Sequence, residues 1–183
     1  MAYRNGTYIA FHAGGTTDPT ASDIRYYRLL KAWHEHDSIE FKFINSHDKS
    51  AAVRDSSTKE TLRRSLIERL NNSRNMVLII GPTTQYDTDW VPFEIAYAVD
   101  RCKIPIIAAY TGCVSVPRPA ALSYLWPAAF ASRINNRSVA ALHVPFNQKA
   151  LNDAITNWDI DHPPGSSLDY YSPEAHRTFG ISV

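Results

Sequence analysis

Short apolar runs alternate with segments of helical period along most of this chain. "YIAF" (8–11) is followed by Gly14-Gly15, the pattern of a strand running into a loop. In 20–36, Thr20 and Asp23 stand at capping spacing, and Tyr26, Tyr27, Leu30 and Trp33 recur as one helical stripe. "EFKFI" (40–44) alternates with period two and predicts a strand with one exposed face or at an edge. A polar loop, 46–58, precedes a second helix in which Ser57 and Glu60 form a capping box and Leu62, Leu66, Ile67 and Leu70 line one face. "MVLII" (76–80) is a continuous apolar run stopped by Gly81-Pro82, as in a central parallel strand covered on both faces. A helix from Asp89 to about Cys102 follows. "IPIIAAY" (104–110) reads as another buried strand, with Pro105 tolerated at its start. Residues 111–138 are irregular with one short helix, "VAALHVPF" (139–146) is the fifth strand, and "NQKALNDAITNW" (147–158) the last helix.

This alternation predicts an α/β fold, a doubly wound parallel five-stranded sheet with helices on both faces, because right-handed crossovers place successive helices that way. Ligands bind outside the carboxyl ends of the strands in such sheets, so the loops at 12–19, 46–57 and 81–89 matter most. The remainder, 159–183, is rich in Pro, Ser and Tyr and has no clear period. The expected organisation is a domain over 1–158 and a C-terminal extension over 159–183, extended or partly disordered.

Composition narrows the partners. With 183 residues the chain can bury a core of ordinary size. A formal net charge of +1 shows no electrostatic footprint for nucleic acid or for an anionic membrane. No apolar run reaches the length of a membrane span, and the N-terminus is too polar for a signal peptide. Two cysteines, Cys102 and Cys113, build neither a disulfide framework nor a zinc site, and nothing else has metal-ligand spacing. A cytoplasmic protein with reduced thiols is expected.

The candidate chemistry sits on the helix after Gly81. Asp89 is placed to cap it, and Pro92 is harmless in a first turn, where its missing N–H would have no partner. Val91, Ile95, Ala98, Val99 and Cys102 make the core stripe, and Trp90, Glu94, Tyr97 and Arg101 the neighbouring face. Glu94 is thus expected near the ligand edge as a partly exposed acid between two aromatic rings. Taken alone, an acid at a helix start is favoured by the helix dipole and implies no function. Gly14-Gly15 lacks the full dinucleotide fingerprint. Ser46, His47 and Asp48 are adjacent on an extended segment, point in alternate directions, and make no triad.

The block "NNSRNMVLIIGPTTQYDTDWVPFEIAYAVDRCKIPIIAAY" resembles the centre of TIR and TIR-like domains, where a buried strand is followed by a turn, Trp-x-x-x-Glu, a helix and another buried strand. "YIAFHAGG" is similar to the family's first strand and loop, and "FINSHDKSAAVRDSSTKETLRRSLIERL" to its second strand, mobile loop and second helix. Within the family the chain looks most like the TIR-like (ThsB-type) subunit of Thoeris anti-phage systems. The resemblance implies a flavodoxin-like fold and cleavage of NAD at the nicotinamide–ribose bond. NAD would be the substrate, with no resident cofactor, and an ADP-ribose-derived nucleotide, cyclic or conjugated, would signal to a separate effector. Self-association and a phage-derived trigger are implied with it. By resemblance Glu94 is the catalytic acid, and Phe11 and His12 lie under the ligand. Trp90 and Tyr97 are the rings beside it, and Asp48 and Arg54 belong to the loop expected to close over nucleotide or to meet a neighbouring subunit. The chain departs from the family pattern where Ala10-Phe11-His12 stands for Ser-Tyr-Arg and Val91 for a cysteine.

One carboxylate suffices for that chemistry. Ordinary glycosidases need a second carboxyl to protonate the leaving oxygen. Nicotinamide leaves NAD as a neutral molecule, so a single ionised acid that stabilises the positive charge building on the ribose is enough. Two other functions remain compatible with the sequence. A TIR-type scaffold acting by self-association would not need Glu94. A nucleoside deoxyribosyltransferase-like enzyme would use it as a nucleophile on deoxynucleosides.

Overall fold

The computed structural model describes residues 4–14, 22–38, 41, 43 and 59–183. Among the described residues, five parallel strands form one sheet in chain order: β1 (Gly6–Ala10), β2 (Ser73–Ile80), β3 (Ile106–Tyr110), β4 (Ala141–Pro145) and β5 (Asp169–Tyr170). The helices are α1 (Ile24–Glu35), α2 (Lys59–Asn71), α3 (Trp90–Ala96), α4 (Ala128–Asn135), α5 (Gln148–Asn157) and α6 (Pro173–Thr178). Thr84–Tyr86 and Pro119–Leu125 are 3-10 turns. Among the described residues no helix is long and apolar enough to cross a membrane.

Two separate apolar layers show why β2 and β3 read as unbroken apolar runs. On one face Tyr8, Ala10, Leu78, Ile80 and Tyr110 pack with Leu70 of α2, Val91 and Ile95 of α3, and Phe130 of α4. On the other, Ile9, Val77, Ile79, Ile107 and Val144 pack with Leu30 of α1 and with Leu151 and Ile155 of α5. Successive side chains of a strand point to opposite faces, so a central strand needs apolar residues at every position. Each large side chain buried this way contributes about 1.5–3 kcal/mol. The doubly wound α/β fold expected from the sequence is the fold observed.

The membership of the sheet differs from expectation. β2 begins three residues before the predicted run, because Ser73 and Asn75 are polar yet buried. The Asn75 side chain accepts from Thr7 Oγ1 at 2.8 Å and donates to the carbonyls of Ile155 and Trp158 at 3.0 and 2.8 Å. Of the predicted strand 40–44, only Phe41 and Phe43 are described. Both are buried on the α1 face and neither is in a strand. The fifth strand comes instead from the C-terminal segment, which supplies β5 and α6. Tyr171 there donates to Asp153 of α5 at 2.6 Å, and His176 is buried.

His143 ties that segment to the core. Trp126 Nε1 donates to Tyr110 Oη at 2.7 Å, Tyr110 pairs with His143 Nδ1 at 2.7 Å, and His143 Nε2 with the Ser167 carbonyl at 3.0 Å. An indole only donates and a carbonyl only accepts. The Tyr110 proton therefore goes to Nδ1, and a neutral imidazole donates from Nε2. Burial holds the His143 pKa down to about 4 against the opposing pull of the Ser167 carbonyl.

At the carboxyl edge, Asp23, Thr84 and Gly81 form a second buried node. Thr84 Oγ1 donates to Asp23 Oδ2 and accepts from Gly81 N–H, both at 2.8 Å. The Asp23 N–H donates to the His12 carbonyl at 3.0 Å, and its own carbonyl receives the first amides of α1. A Cβ at position 81 would stand 2.2 Å from Asp23 Oδ1, so the close approach requires glycine.

Gly81→Ala is expected to cost about 1–3 kcal/mol by overpacking. Most of that cost should vanish when Asp23→Ala is present, a coupling read from urea unfolding of the two single variants and the double. His143 binds a proton more readily unfolded, near 6.5, than folded, near 4. Its contribution to stability is therefore complete above that window and lost as pH falls through it. Urea midpoints at pH 7 and pH 5 should differ more for wild type than for His143→Gln.

Candidate active site

The alternation of β1 decides which early residues meet α3. Tyr8 and Ala10 face α3, whereas Ile9 and Phe11 face α1. Tyr8 Oη donates to Glu94 Oε1 at 2.5 Å, and Glu94 is only 6% exposed. The expectation of a partly exposed acid is thereby corrected: Glu94 adjoins the buried Val91–Ile95 stripe of α3 and turns inward to the Tyr8 hydroxyl of β1. Burial raises the Glu94 carboxyl from 4.5 to about 8, helped by the charge of Asp87 and opposed by the Tyr8 hydrogen bond and by Arg69 of α2. The Tyr8 phenol is pushed well above its usual range by the same burial and by its acidic neighbour.

The cap of α3 also differs from expectation. The Asp89 side chain caps nothing and pairs with Lys59 at 2.9 Å. Asp87 Oδ1 receives the amides of Asp89 and Val91 at 3.0 and 3.3 Å. Its second oxygen, Oδ2, lies 3.0 Å from His12 Nδ1. One carboxylate thus joins the loop after β1 to the helix that carries Glu94. The helix is not α-helical throughout: Tyr97–Cys102 form a π-helical turn, ended by Lys103 at φ 57°.

His12 and Glu94 are therefore brought together through Asp87. Phe11 is on the opposite face of β1, stacked on Tyr27 of α1 with centroids 5.0 Å apart. Trp90 lines a groove of about 440 Å³ between α2 and α3, with Lys59, Glu60, Arg63, Asp89 and Phe93. In that groove Lys59 Nζ lies 5.6 Å from the Trp90 ring centre and the Arg63 guanidinium 4.7 Å from that of Phe93. Tyr97 packs against Phe93 at 6.0 Å and against the core. Asp48 and Arg54 lie outside the described residues.

Sequence reasoning missed Tyr8, Arg69 and Asp87. Tyr8 carries the only hydroxyl of its apolar run, and a buried phenol needs a partner. Arg69 stands three residues after Leu66 on the same helix face, which was a visible signal of a charge turned inward. Asp87 and Asp89 are equivalent by spacing rules, and only the path of the turn distinguishes them.

Among the described residues, the doubly wound parallel sheet with a buried glutamate in the helix that follows a central strand is consistent with a TIR-like α/β domain. Residues 8–114, more than half of the chain, match the family model described as "Thoeris protein ThsB, TIR-like domain", and the chain belongs to that family. It is thus a TIR-like protein of the Thoeris defence group. The chain is also similar to a solved structure titled "Crystal structure of conserved protein from Enterococcus faecalis V583". That likeness is 17% identity over 97% of this chain and 98% of the other, with a TM-score of 0.43.

The raised carboxyl has a thermodynamic consequence. Folded Glu94 holds its proton to about pH 8 and the unfolded chain only to about 4.5, so its contribution to stability is present below that window and lost as pH rises through it. Glu94→Gln removes this dependence. The variant is expected to match wild type near pH 4.5 and to exceed it in stability at pH 8.5, as followed by thermal melts across that range.

Proposed function

We propose that this chain cleaves NAD at the nicotinamide–ribose bond and passes the ADP-ribose part into a nucleotide that signals to a separate effector. The observation that carries the reading is the placement of Glu94, a buried acid held by Tyr8 near the edge where α/β sheets bind ligands. Family membership supports it. The pyridinium of NAD needs no acid to leave, and an ionised carboxylate beside the ribose offsets the charge that develops at C1′.

The protonated state of Glu94 at neutral pH adds a condition. A neutral acid cannot stabilise that charge, so the resting site is weak until cationic substrate, self-association or a phage-derived trigger shifts the carboxyl to its ionised form. Sealing of the acid has the same effect, since the ribose reaches it only when the cover over the site yields. A cytoplasmic enzyme of this kind would leave cellular NAD intact until called upon. The same burial also suits a scaffold that signals by association without chemistry.

Incubation of concentrated protein with NAD, with and without lysate of infected cells, followed by mass spectrometry, separates the two. Nicotinamide release is expected, with a rate in the free protein that rises as pH passes through about 8. Glu94→Gln should lower the rate at least about 10²-fold, the usual cost of removing a group that stabilises transition-state charge. Absence of nicotinamide under every condition would leave the scaffold.

A further inference from the structure

His12 is held at two points. Its carbonyl receives the Asp23 N–H at 3.0 Å, and its Nδ1 lies 3.0 Å from Asp87 Oδ2. Asp87 is fixed in turn, because its other oxygen receives two amides at the start of α3. A carboxylate only accepts, so Nδ1 of a neutral imidazole carries the proton and Nε2 keeps its lone pair. Nε2 has no hydrogen-bond partner among the described residues, and the His12 side chain stays 17% exposed, against 11% for Asp87. A histidine oriented by a part-buried carboxylate, with its far nitrogen open, is the arrangement that removes a proton from an attacking oxygen. Asp87 also receives the Val91 amide on α3, three residues before Glu94, which puts the dyad at the start of the helix that carries the acid.

We propose that His12 is the general base for the acceptor in the reaction proposed above, with Asp87 as its positioning residue. The inference rests on that reading of the function. The nicotinamide–C1′ bond breaks, and its electron pair stays on the pyridine nitrogen. An O–C1′ bond forms from water or from a hydroxyl of a nucleotide or small-molecule acceptor. The proton on that oxygen passes to His12 Nε2, and the Asp87 carboxylate stabilises the imidazolium. Glu94 serves the departure of nicotinamide, and His12 the arrival of oxygen. The acceptor class follows: nucleophiles that must lose a proton depend on His12, and pyridine bases, which attack through a bare lone pair, do not.

The test compares two reactions of the same protein on NAD. One is exchange of labelled nicotinamide into NAD, and the other is formation of ADP-ribose or its cyclic or conjugated products. His12→Gln is expected to lower the ratio of product formation to exchange about 10²-fold or more relative to wild type, whatever loss of NAD binding the two reactions share. Exchange in the same sample reports that the variant is folded and still cleaves the bond. Asp87→Asn retains an oxygen for the α3 amides and loses the charge, and it should show the same split to a smaller degree. A parallel fall of both reactions in His12→Gln would make the pair a tether between the β1 loop and α3, and no fall in either would leave it without a role. Both results overturn the inference and leave NAD cleavage standing. Wild type that performs neither reaction overturns the function itself, and the inference with it.

Discussion

Glu94 is a carboxyl almost wholly withdrawn from water, with the Tyr8 phenol as a hydrogen-bond donor and the Arg69 guanidinium within electrostatic range. Burying an unpaired charge costs far more than burying a neutral acid, so the group keeps its proton at neutral pH. The site is therefore built in an uncharged state. The Tyr8 hydroxyl gains Glu94 as an acceptor, and no trapped anion stands between β1 and α3. Any chemistry that needs the carboxylate must first supply a compensating positive charge or open the site.

The geometry around that acid depends on two further carboxylates, each used for structure in a different way. Asp87 satisfies the free amides at the start of α3 and fixes His12 with the same group. Asp23 is buried against Thr84 at the end of β2, and Gly81 leaves room for it. Burial lifts the Asp23 carboxyl above its ordinary value, against the pull of Thr84 and His12. Both nodes join the end of β1 to the turn after β2, the edge at which α/β sheets take their ligands. Order there comes from hydrogen bonds, buried at Asp23 and part-buried or exposed at Asp87, whereas the sheet below is held by apolar area.

The C-terminal segment extends the same logic to the far side of the sheet. β5 adds two residues to the edge of β4, too few to hold by ladder bonds alone. Its attachment comes from His143 to the Ser167 carbonyl, Tyr171 to Asp153, and the Val116 amide to buried His176. None of these contacts is local, which is why a stretch with no period of its own packs as part of the fold.

Local pattern by itself determined the class of fold and the place to look. The runs at 76–80 and 104–110 could only be strands covered on both faces, and the acid in the first turns of the next helix stood at the ligand edge by topology. The family resemblance added an expectation of the chemistry, since periodicity carries no information about substrate. What only the tertiary structure decided are matters of a few ångströms between distant residues. These include the sealing of Glu94 by Tyr8 across 86 positions, the choice of Asp87 over Asp89 as cap, and the turning of Phe11 to the α1 face while His12 meets Asp87. Sequence spacing says which side of an element a residue occupies. Whether that side is wet or dry, and which partner waits there, depends on how closely another element approaches, and that is set by packing of the whole core.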